Sequence, residues 1–280
     1  MSVINRHFQH LRVSLEGRVA TVTLHSPERF NAINFRMLTE LHEVLDFISE
    51  IPRGTDDPLT SDAESFPRVV LLQAAGPAFC AGVDIVDADS KESTWDYRSW
   101  HSQHLLSSLV EKLYALPQAV VCCIAGPAVG IGLSLALACD IRIGTTSSSF
   151  SAAFISLGIS GTDMGTSYLL PRIIGSGRST ELMLTGRTID GATAFSWGLL
   201  NHIVDSVDEI KQKSDSIVKS LLSTSPWGLY ITKRQIQASL GHGDLKSVIT
   251  AENSHQVYLL SRPDVIKMAK AKLRKISSKL

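Results

Sequence analysis

The chain has 280 residues, 44% hydrophobic and 19% charged, with 27 basic against 27 acidic residues. A chain of this length buries one large core with room for a smaller appendage, and its charge balance lacks the basic excess of a nucleic-acid binder. Its four cysteines, Cys80, Cys122, Cys123 and Cys139, sit in apolar runs without the spacing of a zinc site, so they read as buried reduced thiols of a reducing compartment.

The N-terminal "MSVINRHFQHLRVSLEG" has no apolar run of the signal-peptide kind. "VSLEGRVATVTLH" alternates around Glu16-Gly17 and predicts a hairpin; "SPERFNAIN" reads as a loop. The next segment, "FRMLTELHEVLDFISEI", places Met37, Leu38, Leu41, Leu45 and Ile48 on one helical face. Residues Pro52 to Pro67 are acidic and proline-bounded, as a mobile surface loop would be. "RVVLLQAAG" predicts a strand, "PAFCAGVDI" a turn into a helix, and Trp95 to Leu116 a helix stopped by Pro117. From Ala119 to Cys139 the chain is uncharged and long enough to cross a bilayer. Pro127 and the glycines at 126, 130 and 132 interrupt it, so strand, glycine turn and buried helix is the better parse. "IRIGTTSSSFS" holds a further short strand, and beyond about Ser206 the pattern is helical throughout. Recurrent strand–turn–helix units predict an α/β fold. No membrane span is expected.

Two glycine turns, "AGPAFCAGVDI" and "AGPAVGIGLSLALACD", each follow an apolar strand. Glycine lets backbone approach a ligand, and facing N–H groups of two such turns would suit one developing oxyanion. Neither turn matches the dinucleotide or triphosphate fingerprints, so no such cofactor is expected. No metal is expected either, since His101, His104, His202, His242 and His255 lack ligand spacing. Asp163 is the only charged residue between Arg142 and Arg172. Its chemistry leaves two roles open. It is a loop aspartate bonding its own backbone, or a buried acid whose raised pKa suits proton transfer to and from carbon.

Together "FCAGVDI", "GPAVGIGLSLALACDI", the upstream "SPERFNAIN" and the downstream "LTGRTIDGATAFSWGLLNHIV" resemble the enoyl-CoA hydratase/isomerase (crotonase) family over roughly residues 10–205. The resemblance implies a crotonase-like spiral of ββα units over residues 1–205 and a helical region over 206–280. That region would serve oligomerisation, as a homotrimer or hexamer, and contact with CoA. The basic run Lys267 to Lys275 is either a solvated helix face or an approach to CoA phosphates. The resemblance also implies backbone oxyanion donors at Ala81 and Ile131, with Cys80, Gly82, Asp84, Gly130, Ser134 and Phe154 around the substrate. Asp84 and Asp140 are expected mainly to cap or brace turns.

Family hydratases place two glutamates where this chain has Ser134 and Phe154, and neither replacement can manage a water proton. "TDMGT" puts Asp163 at the position where the resemblance implies the one catalytic glutamate of peroxisomal Δ3,Δ2-enoyl-CoA isomerases and an aspartate of dienoyl-CoA isomerases, the latter with further acids where this chain has Ser134 and Phe154; the Δ3-to-Δ2 reaction is therefore preferred. The expectation is therefore an acyl-CoA isomerase of fatty-acid β-oxidation. Asp163 would be its base and acid, and no cofactor would be needed beyond the substrate's own coenzyme A. Rival readings are a dienoyl-CoA isomerase, a hydratase or other reaction of the family, and a non-catalytic acyl-CoA binder. The C-terminal Ser-Lys-Leu reads as an address for the peroxisomal import receptor, or the glycosomal one in a kinetoplastid.

Overall fold

A computed structural model describes residues 7–49, 66–85, 99–241 and 244–277, with side chains through 271. Most of the acidic Pro52–Pro67 stretch, residues 95–98, His242 and the terminal Ser-Lys-Leu lie outside the described residues.

The hairpin forms as its alternation requires. β1 (Leu11–Glu16) and β2 (Val19–Leu24) are antiparallel, with Glu16 opposite Val19. Ala20, Val22 and Leu24 face the core. α1 (Phe35–Ser49) buries the apolar stripe read from its spacing, with Val44 and the carboxylate of Glu40 added. Glu40 is satisfied by the N–H groups of Gln9 and His10 and by Arg36. β3 (Val69–Ala74), α2 (Trp100–Ala115) and β4 (Ala119–Ile124) follow.

The uncharged run 119–139 divides further than its composition suggests. After β4 come β5 (Pro127–Val129) and α3 (Ile131–Ala138), whose eight residues are all buried. A helix apolar on every side belongs inside a core. Among the described residues no helix is long and apolar enough to cross a membrane. The single strand expected in "IRIGTTSSSFS" is two, β6 (Ile141–Thr145) and β7 (Ser149–Ser151). Then come α4 (Thr166–Ile174), α5 (Ser176–Thr185), β8 (Ile189–Asp190), α6 (Gly191–Ser196) and β9 (His202–Val204). Four helices complete the described chain: α7 (Val207–Leu222), α8 (Pro226–Ser239), α9 (Leu245–Ser261) and α10 (Pro263–Ser277).

One six-stranded sheet runs β1-β2-β3-β4-β6-β9, parallel from β2 onward, and a three-stranded sheet runs β5-β7-β8. β4 is buried on both faces, which explains its unbroken apolar sequence. Val120, Cys122 and Ile124 join the main core, while Val121 and Cys123 join Ile210 and Val218 of α7 in a smaller one. Lys233 of α8 ties the C-terminal helices to this frame, with its ammonium 2.8 Å from both Gln118 O and Asp140 Oδ2. α9 buries none of its residues and exposes Leu245, Val257 and Leu260.

α3 is clamped at both ends. The buried Arg142 guanidinium donates to the carbonyls of Cys139 (2.6 Å) and Leu199 (2.7 Å). Near its start, Gly132 meets the other glycine turn so closely that a Cβ would lie 2.4 Å from Cys80 O. Gly132→Ala is therefore expected to force the two turns apart and lower stability by about 1–3 kcal/mol. Urea unfolding checks this, and an unchanged midpoint would contradict the packing described.

Candidate active site

A cavity of about 820 Å³ opens between the 80–85 turn, the starts of α2 and α3, and residues 153–164. Its walls are mainly apolar: Val83, Ile85, Trp100, Leu106, Val129, Phe154, Leu157 and Ile159. Of the residues singled out in the sequence, Ala81, Gly82, Gly130, Ile131, Phe154 and Asp163 line this cavity.

Local pairing sets the direction of each N–H in the first turn. Cys80 pairs with β5, donating to Pro127 O (3.0 Å) and accepting from Val129 N (2.9 Å). At Gly82, with φ +112°, the chain changes partner. Gly82 O then accepts from Ile33 N (2.8 Å), and Asp84 N donates to Ile33 O (2.9 Å). In an extended segment alternate residues point to opposite sides, so the N–H of Val83 points away from Ile33. It meets no acceptor among the described residues. The Ala81 N–H, expected to be the donor, is instead bonded to Phe30 O at 3.1 Å. The turn is the one expected, but its unspent donor in the cavity wall beyond Gly82 is Val83.

The second turn ends at Gly130, whose N–H is taken by Ser151 O (3.0 Å). Ile131 opens α3, and first-turn N–H groups lack intrahelical acceptors. Its N–H has none among the described residues and lies at the positive end of the helix dipole. A Cβ on Gly130 would sit 3.9 Å from Gly82 Cα and 3.5 Å from the Phe154 ring, so both turns and the ring abut.

Asp163 enters from the loop before α4. Met164 (φ +47°) and Gly165 (φ +80°) are both left-handed, and Thr166 N closes the turn onto Asp163 O at 2.9 Å. This swings the half-buried carboxylate into the cavity. Oδ1 accepts from Gln103 Nε2 (2.5 Å) and Met164 N (2.7 Å), whereas Oδ2 has no partner among the described residues. Burial raises the Asp163 pKa above the ordinary aspartate value, against the lowering effect of the Met164 and Gln103 donors. Both roles left open by the sequence are present together: a backbone bond beside the carboxylate, and a burial-raised acid facing the cavity.

Three of the residues expected around a substrate lie outside the cavity wall. Cys80 is fully buried, and desolvation pushes its thiol up to about 12. Asp84 is buried in a two-pronged pair with Arg29, at 2.5 and 3.0 Å. Ser134 is buried on α3, its hydroxyl 3.4 Å from Gly130 O and 3.3 Å from Thr166 Oγ1. Thr166 Oγ1 in turn donates to Asp163 O at 2.5 Å. Ser134 thus braces the Asp163 turn against the helix that begins at Ile131. Asp140 braces the β4 start through Val120 N (2.7 Å) and holds Lys233. Among the described residues no histidine, cysteine and carboxylate groups cluster as metal ligands. Gln103, which lines the cavity, is a site residue that the sequence motifs do not include. Its signal is its register: in "WHSQHLLSSLVEKLYA" it stands three and seven residues before the buried Leu106 and Val110.

A family profile described as enoyl-CoA hydratase/isomerase matches residues 14–274. A probable enoyl-CoA hydratase of Mycobacterium bovis is 33% identical over 245 residues, covering 86% of this chain and 81% of that protein. The 1,2-epoxyphenylacetyl-CoA isomerase of Escherichia coli is 33% identical over 227 residues, 80% of each chain. The crystal structure of a probable enoyl-CoA hydratase/isomerase from Mycobacterium abscessus matches with a TM-score of 0.81 at 30% identity, over 95% of this chain and 96% of that one. With its sheet topology, its paired glycine turns and this match along nearly its whole length, the chain belongs to the enoyl-CoA hydratase/isomerase (crotonase) family of enzymes.

Proposed function

We propose that this enzyme moves a carbon–carbon double bond along an acyl-CoA thioester from the Δ3 to the Δ2 position. One observation carries the reading: among the described residues Asp163 is the single carboxylate lining a largely apolar cavity, beside the N–H groups of Val83 and Ile131, which meet no acceptor among those residues.

In this mechanism the thioester oxygen lies between the Val83 and Ile131 N–H groups. Asp163 takes a proton from C2, and the electrons of the broken C–H bond become a dienolate whose oxygen charge the two donors hold. The protonated Asp163 then gives the proton to C4, and the remaining double bond lies between C2 and C3. One group is base and then acid, so atoms and charge balance without a second residue. A carboxyl with a raised pKa suits both halves of the transfer, and each oxyanion donor contributes on the order of 3 kcal/mol on acyl-transfer precedent.

Adding water to a 2-enoyl-CoA needs a group to activate water and a group to manage the second proton. Here Phe154 forms an apolar wall and Ser134 is buried outside the cavity. The relatives carry names for both hydration and isomerisation, so the residues facing the cavity carry the choice.

Asp163→Asn is expected to slow conversion of 3-enoyl-CoA to 2-enoyl-CoA by about 10²–10⁴-fold with an unchanged urea midpoint. Undiminished activity would remove Asp163 from the reaction. With unaltered enzyme, 2-enoyl-CoA is expected to yield no 3-hydroxyacyl-CoA at a rate near that of isomerisation; comparable hydration would reassign the activity. The base must be ionised, and burial raises its pKa. Activity is therefore expected to fall on acidification at a pH above the ordinary aspartate range, which a kcat/KM profile measures.

A further inference from the structure

We infer that Gln103 is a positioning residue for Asp163: its amide engages Oδ1 at 2.5 Å and so leaves Oδ2 as the oxygen that carries the proton. The inference rests on the proposed role of Asp163.

A free carboxylate has two equivalent oxygens and rotates between them. Here the Met164 N–H already fixes one edge of Oδ1, at 2.7 Å and from the same turn. That local bond moves with the turn. Gln103 is different, because it reaches across 60 residues of sequence from α2. α2 is anchored independently by buried Leu106, Leu109, Val110 and Leu113, and by Ser99 capping Ser102 N at 3.2 Å. A donor on a separate rigid element fixes the carboxylate plane in the frame of the cavity rather than of its own loop. Both Gln103 and Asp163 line that cavity.

The same hydrogen bond has an electrostatic consequence. An amide donor favours the ionised carboxylate and offsets the burial that disfavours it. Charged and titratable side chains stand on the surrounding elements: His101, His104, Glu111, Lys112 and Tyr114 on α2, Tyr168 and Arg172 on α4, and Cys80 and Asp84 on the first turn. None of them is among the groups that shift Asp163, so the two donors alone oppose desolvation among the described residues.

The test is titration of the full-length protein labelled with 13C at aspartate carboxyls, the Asp163 signal being assigned by its loss in Asp163→Asn. In Gln103→Met, similar in length but without a donor, the midpoint is expected to move to higher pH. On the acid side kcat/KM should fall about tenfold, and the deficit should narrow as pH rises. An unmoved midpoint, or a loss equal at every pH, overturns the inference. Should Gln103→Met fail to fold, Gln103→Glu keeps the shape. It sets two carboxyls around one proton, so the Asp163 midpoint is expected to rise further, and an unmoved midpoint overturns the inference equally. The midpoint is read without turnover. Failure of the isomerase reading would instead appear as a fully active Asp163→Asn, so the two failures are distinguishable.

Discussion

Two hydrogen bonds on one oxygen of Asp163 set the terms for the rest of the site. A carboxylate moved from water toward an apolar wall loses solvation and drifts toward its neutral form. A hydrogen bond to a charged group returns about 1.5–3 kcal/mol. With both donors on Oδ1, Oδ2 has no partner among the described residues, and Asp163 lines the cavity. The geometry has a cost in the backbone. Met164 is held left-handed, a conformation that costs a residue of its kind on the order of 1–3 kcal/mol, and the surrounding contacts have to hold it there.

Those contacts converge on α3. Its first residue offers an N–H to the cavity, its second lets the other glycine turn pack against it, and its fourth, Ser134, reaches Thr166 at the end of the Asp163 turn. Arg142 secures the opposite end from a buried position. The proton carrier and one oxyanion donor are therefore referred to the same eight-residue helix, buried along its whole length. A site that moves a proton between two carbons depends on such rigidity, since misplacement of the reacting groups by about an ångström can cost two orders of magnitude in rate.

Much of this was legible in the sequence because the signals are local. Alternation in "VATVTL", the helical stripe of α1, and the glycine breaks at 126–132 each reflect a burial period that one segment reports about itself. Asp163 stood out because no charge surrounds it in thirty residues. What the sequence concealed is relational. The first-turn donor, expected at Ala81, moves to Val83 once Phe30 and Ile33 are seen to pair with the segment. Asp84 reads as a turn brace until Arg29, 55 residues away, closes on it. Gln103 passes for one of the polar residues of an amphipathic helix until the loop of Asp163 folds over it. β5 and β8, three and two residues long, have too few residues to show a period.

The central claim is that a single carboxylate moves protons at carbon beside the thioester. Long incubation of a 2-enoyl-CoA with the enzyme in D₂O, followed by proton NMR, addresses it most directly. The account predicts that the C4 proton signal fades as deuterium enters over many reversals, and that it persists with Asp163→Asn. Equal exchange by both proteins, or none by either, would contradict it.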